Sequence, residues 1–100
     1  MIHIKNEFID FKVYPASSVF VDFKKETGLS IEKAIQDPEA DQISLIAKVL
    51  FIGHKAYCRL KNEQVSVTES QILDSVTINE LTEVLNRFMG GDSGSQKKAK

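Results

Sequence analysis

Apolar and polar residues take turns early in the chain. Ile9, Phe11 and Val13 alternate with Asp10, Lys12 and Tyr14, the period of two of a half-buried strand. A two-residue turn at Asn6-Glu7 pairs Ile4 with Ile9 and Ile2 with Phe11, and sets His3 opposite Asp10 on the other face. Glu7 suits a turn of positive φ poorly, so this register is the weaker part of the hairpin. Pro15 stops the second strand, and the period changes. Ala16, Val19, Phe20 and Phe23 recur at i, i+3, i+4 and i+7, one apolar face of a helix. Pro15 serves as its first residue, with Ser17 or Ser18 as a cap. Lys24 and Lys25 sit in its last turn, Gly28 supplies the left-handed end, and Leu29 folds back on it. Ser30 then caps a shorter helix from Ile31 to Gln36.

The next segment dominates the chain. Asp37 as cap and Pro38 as first residue, with Glu39 and Asp41 in the first turn, open a helix running to about Leu60. Ser44, Lys48, Lys55 and Arg59 form one narrow polar stripe along it. Nearly everything else is apolar, from Ile43 through Leu60. A helix greasy around most of its circumference must be enclosed on several sides. The expectation is that three short helices and a hairpin do not quite suffice, and that a protein partner covers the rest.

Beyond it the chain repeats one device. In Val67-Thr68-Glu69-Ser70-Gln71-Ile72 and Val76-Thr77-Ile78-Asn79-Glu80-Leu81 the Thr caps, the residue three later reaches back, and Val staples onto Ile72 or Leu81. Helices are therefore predicted over about 69–75 and 78–89, the second with Leu81, Val84, Leu85 and Phe88 inward and Gly90-Gly91 at its end. Residues 91–100 hold no large apolar side chain and are expected to form a disordered polar tail. The predicted fold is mainly α (α+β): a small helical bundle around one long central helix, with an N-terminal β-hairpin over about 1–14, forming a single domain over 1–90.

Composition narrows the function classes. The chain is 42% apolar and 27% charged, ordinary values for a folded domain. Its net charge is −1. Taking the tail's three lysines and one aspartate from thirteen basic and fourteen acidic residues leaves a body of charge −3, which gives nucleic acid or anionic lipid no attracting field. The opening residues show no basic stretch followed by an apolar one, so no export signal is expected. The greasiest run, Ile43 to Cys58, is interrupted by Lys48, His54 and Lys55 and is short of the ~30 Å hydrocarbon core. A lone cysteine, Cys58, excludes an internal disulfide framework and fits a reducing compartment.

Candidate chemistry is sparse. His54 and Cys58 stand four apart on the central helix, but two ligands do not complete a zinc site. As a nucleophile pair on a greasy helix they lack a cleft and an oxyanion hole. Glu26, Glu32, Asp37, Glu39 and Asp41 are largely spoken for as caps, and no calcium loop or phosphate-cradling glycine loop occurs. The two C-terminal helices have the outline of a helix-turn-helix, yet the second carries Glu80 and Glu83 against one cation, Arg87, which disfavours DNA. No enzyme activity, metal or cofactor is expected.

The order of features is more telling than any motif. A hairpin leads into Phe20-Val21-Asp22-Phe23-Lys24-Lys25-Glu26-Thr27-Gly28-Leu29-Ser30, followed by a long apolar helix, Thr-capped short helices and a polar tail. Over about residues 8–90 this resembles the tail assembly chaperones of long, flexible-tailed bacteriophages and related prophages. In that family an E-x-T-G-x-S-like corner is common, and Glu26-Thr27-Gly28-Leu29-Ser30 is similar to it. The resemblance implies a non-enzymatic protein of the host cell cytoplasm that coats the helical tape-measure protein before the tail tube, built of major tail protein, polymerises, and that is absent from the mature virion. It also implies a longer form made by frameshifting near the polar tail. Spare apolar surface on the central helix then covers the partner's apolar stripe helix-in-groove, through Phe51, Tyr57 and Leu60, and through Phe20 or Phe23 if a groove opens beside them. The same surplus predicts a homo-oligomer. The alternative expectation is a small helical regulatory adaptor or anti-repressor that binds one protein partner.

Overall fold

A computed structural model describes residues 1–37, 39 and 41–89. The predicted polar tail, Pro38 and the Gly90-Gly91 pair lie outside the described residues. Two strands, β1 (Ile2–Lys5) and β2 (Asp10–Val13), are followed by α1 (Ser17–Thr27), α2 (Ile31–Gln36), α3 (Gln42–Lys61), α4 (Glu69–Ser75) and α5 (Ile78–Phe88). The architecture is mainly helical α+β, with an antiparallel hairpin and four shorter helices packed around α3.

The hairpin forms with a different register from the one expected. Ile2 pairs with Val13 and Ile4 with Phe11, so that Lys5 meets Asp10. The turn is four residues long because Asn6 organises it. Its Oδ1 accepts from the N–H groups of Phe8 and Ile9, while its own N–H donates to the Ile9 carbonyl. An Asx turn of this kind outcompetes a tight turn that would need positive φ at Glu7. A shift of two residues preserves the faces, so Ile2, Ile4, Phe11 and Val13 are all buried. His3 and Asp10 now meet diagonally and still bond to each other.

Two helix starts also differ. Ala16, not a serine, is the N-cap of α1, and no side chain caps it. The Tyr14 N–H donates to the Gly53 carbonyl, and the Ala16 N–H to the Tyr14 carbonyl, which pins residues 14–16 against α3 and places Ser17 inside the helix. The α1 C-terminus is as expected, with Gly28 at φ 81° and Ser30 capping α2 through the Lys33 N–H. Helix α3 begins four residues later than predicted. Asp37 ends α2 and its side chain accepts from the Glu39 N–H, while Asp41 caps α3 by accepting from the Ser44 N–H and hydroxyl. Gln42 closes the corner by donating to the Ile35 and Asp37 carbonyls, because the last carbonyls of α2 need partners before the chain can reverse.

The C-terminal third matches the expectation. Both capping boxes are formed, Thr68 with Gln71 and Thr77 with Glu80, each contributing about 1 kcal/mol. Ile72, Leu81, Val84, Leu85 and Phe88 point inward.

The neighbours cover α3 more fully than expected. Val49, Leu50, Ile52, Ala56, Tyr57 and Cys58 are all buried. Of the apolar surplus, only the two ends, Ile43 and Leu60, are exposed, and Leu45, Ile46 and Phe51 are half-buried. The polar stripe is itself tied down. Lys48 Nζ lies 3.1 Å from Glu69 Oε1 and 3.8 Å from Glu26 Oε1, and Arg59 lies 3.8 Å from Asp22. Lys55 rests over the Phe51 ring at 4.9 Å. Among the described residues no helix is long and apolar enough to cross a membrane.

Candidate functional site

An apolar crevice opens between α2 and α3. Phe23 of α1 and Leu85 of α5 form its floor with Ile31, Ala34 and Val49, and Ile35, Leu45 and Ile46 line it as half-buried residues. Gln42 alone brings a polar group to it, and its amide is already committed to the carbonyls that end α2. A lining of this kind offers nothing to a charged or hydrogen-bonding ligand. Its enclosed space is only about 20 Å³, so an apolar side chain enters only if Ile35, Leu45 or Ile46 moves aside.

The expected contact residues are dispersed relative to this crevice. Phe23 lines it but is fully buried, at 0% exposure. Phe20 is half-buried beside Phe88, with ring centroids 5.7 Å apart. Tyr57 is buried on another side of α3, stacked 6.4 Å from the His54 ring with Lys12 Nζ 5.9 Å from its own centroid. Phe51 is half-buried beneath Lys55, and Leu60 is 67% exposed near the end of α3. Sequence reasoning missed Ile35, Leu45 and Ile46. The available signal was the breadth of the apolar surface of α3 toward its N-terminal end, where Ile43, Leu45, Ile46, Val49 and Leu50 follow closely.

The opposite side of α3 holds a polar cluster. His54 is 2% exposed. Its Nδ1 is 2.7 Å from the Lys12 carbonyl, which can only accept, so Nδ1 carries the proton. Its Nε2 lies 3.1 Å from the Ser66 N–H, which can only donate, and 3.2 Å from the Ser66 hydroxyl. The ring is thus neutral, with its tautomer set by backbone groups from β2 and from the connection between α3 and α4. Cys58 Sγ lies 3.5 Å from Nε2 and 3.5 Å from the Gln64 carbonyl, to which it donates. Burial, and secondarily the Glu63 carboxylate, push its thiol up, which opposes the thiolate a nucleophile or metal ligand requires. Asp10, Phe11, Lys12, Tyr57 and Glu63 complete a polar cleft around this cluster. Among the described residues no three His, Cys, Asp or Glu side chains converge as metal ligands do.

Large apolar side chains reach solvent elsewhere. Phe8 in the hairpin turn is 75% exposed and Ile78 at the start of α5 is 61% exposed. The two segments are neighbours, because Asn6 Nδ2 donates to the Ser75 carbonyl at 2.8 Å. Comparison of the chain with protein-family models, curated proteins and solved structures finds no match.

Proposed function

We propose that this protein is an assembly chaperone of the phage-tail type, shielding the apolar stripe of a long helical tape-measure protein until the tail tube forms around it. The observation that carries this reading is the crevice between α2 and α3. It is lined almost wholly by carbon and reaches the surface through Ile35, Leu45 and Ile46. Its enclosed space is about 20 Å³, so it supports the reading as an apolar rim against which a partner helix rests, with rim side chains shifting for any residue that inserts. The Glu26–Ser30 corner and the order of elements support the same assignment. The contact surface differs from the one anticipated on the middle of α3. It comprises the crevice rim, Ile35, Leu45 and Ile46. The protein acts in the host cytoplasm, self-associates through remaining apolar surface, is absent from the finished particle, and engages the major tail protein as the tube grows.

Co-expression with a tape-measure product encoded beside it, followed by pull-down, tests this. The expected result is tape-measure protein that stays soluble only in the presence of the wild-type chain. Ile46→Asp, at the half-buried rim, is expected to keep its helical circular dichroism and lose the pull-down. A tape-measure protein soluble by itself, full retention by the variant, or the absence of tail genes around this one overturns the reading. The last outcome, combined with capture of a single folded partner, is the signature of a regulatory adaptor instead.

A further inference from the structure

The connection between α3 and α4 has little backbone hydrogen bonding of its own. Asn62 takes the left-handed conformation at φ 58°, and the Glu63 N–H donates to the Cys58 carbonyl. After that the segment is held by side chains of α3. Cys58 reaches the Gln64 carbonyl, and His54 Nε2 receives both the N–H and the hydroxyl of Ser66. Val67, one residue on, is buried in the core and leads directly into the Thr68 cap of α4. From these contacts we infer that His54 is a proton-operated latch: neutral, it fastens the 63–67 connection to α3 and β2; protonated, it releases that connection.

The reason is the geometry of donors and acceptors. Both ring nitrogens are occupied by backbone groups whose roles cannot change. A second proton on Nε2 turns the acceptor into a donor facing the Ser66 N–H, and the Ser66 hydroxyl can rotate but the amide cannot. The hydroxyl oxygen can then accept from the ring, but the Ser66 N–H loses its acceptor and faces a second donor, which is unfavourable in a buried place. Nδ1 keeps its bond to Lys12, so the ring stays with β2 and the strain falls on the connection. The charged residues that line the cleft with the ring are Asp10 and Lys12 from β2 and Glu63 from the connection. Phe11, edge-on at 5.6 Å, and Tyr57 flank it without charge, and the Cys58 thiol is neutral. Asp10 is already engaged by His3. The cleft lined by His54 and Ser66 gives water a route to the latch. Imidazole is the side chain whose charge ordinarily changes between about pH 5 and 8.

The test is amide hydrogen exchange and two-dimensional NMR on the full chain across that range, with the His54 and His3 ring signals followed separately. The expected result is a rise of about tenfold or more in Ser66 and Val67 exchange, corrected for intrinsic rates, in step with the His54 ring titration while the α3 amides stay protected. His3→Gln is expected to leave the effect intact. His54→Gln offers one amide donor and one carbonyl acceptor that do not titrate, and is expected to abolish it. Ser66 and Val67 protected throughout the His54 titration overturn the inference, as does a rise that survives in His54→Gln. Loss of all amides together, before the ring titrates, overturns it as well. The wild-type and His3→Gln measurements decide the matter even if His54→Gln does not fold.

Discussion

Toward β2 and the 63–67 connection, α3 presents a histidine and a cysteine whose polar atoms each meet a named backbone group. Toward α1, α2 and α5 it presents Leu45, Ile46 and Val49, which meet Phe23, Ile31 and Leu85 through contacts without direction. The first side has one satisfactory arrangement, since a shifted ring leaves donors and acceptors unpaired in a buried place. The second can repack around a side chain of the right size, because volume matters there more than angle. A small domain thus assigns register to one side of its central helix and adaptability to the other. The proposed chaperone function draws on the adaptable side.

Substitutions can break this contrast in order of severity. Phe23→Ala empties the floor of the apolar side. It is expected to cost about 3–5 kcal/mol in urea unfolding, and a markedly smaller loss would mean the crevice collapses onto the gap. Gly53→Ala acts on the seam between the sides. A Cβ there would stand 2.5 Å from Val13 Cγ1 and 3.4 Å from Phe88 Cε2. Overpacking costs about 1–3 kcal/mol against a gain of up to about 1 kcal/mol in helix propensity. A lower melting temperature is expected, and an unchanged or higher one would show that Val13 yields.

Acid has the smallest effect, and it bears on helix ends and the hairpin instead of either side of α3. Glu80 is held below its ordinary 4.5 first by the Thr77 N–H, and Asp41 below 3.8 first by the Ser44 hydroxyl. The bond to His3 does the same for Asp10. These carboxyls bind protons more weakly folded than unfolded, so their stabilisation is complete above the ordinary values and is lost as pH falls through and below them. Chemical denaturation at a series of pH values is expected to show stability declining from about pH 5 downward. Glu80→Gln, which removes one of these titrating carboxyls, is expected to shallow that decline.

The C-terminal capping boxes and the Gly28 corner were legible in the sequence, whereas competing local turns and pairing over distance were not. The capping boxes at Thr68 and Thr77 and the Gly28 corner depend on residues within four positions, so spacing alone reveals them. The hairpin register escaped because the Asn6 side chain rewrote the turn. The start of α3 escaped because Asp37 and Asp41 are both competent caps, and only the demand of the last α2 carbonyls for Gln42 selects between them. His54 and Ser66 lie twelve residues apart with a helix end between them, and no periodicity connects them. The crevice likewise gathers residues of α1, α2, α3 and α5, a convergence that no local spacing records.

The bond from Asn6 to Ser75 spans 69 positions, and β1 packs on α5. A ribosome releases the hairpin long before it makes the helices that support it. That early ribbon must wait, half-clothed, for the last segments to arrive, and a closure over so many positions adds to the contact order that slows folding.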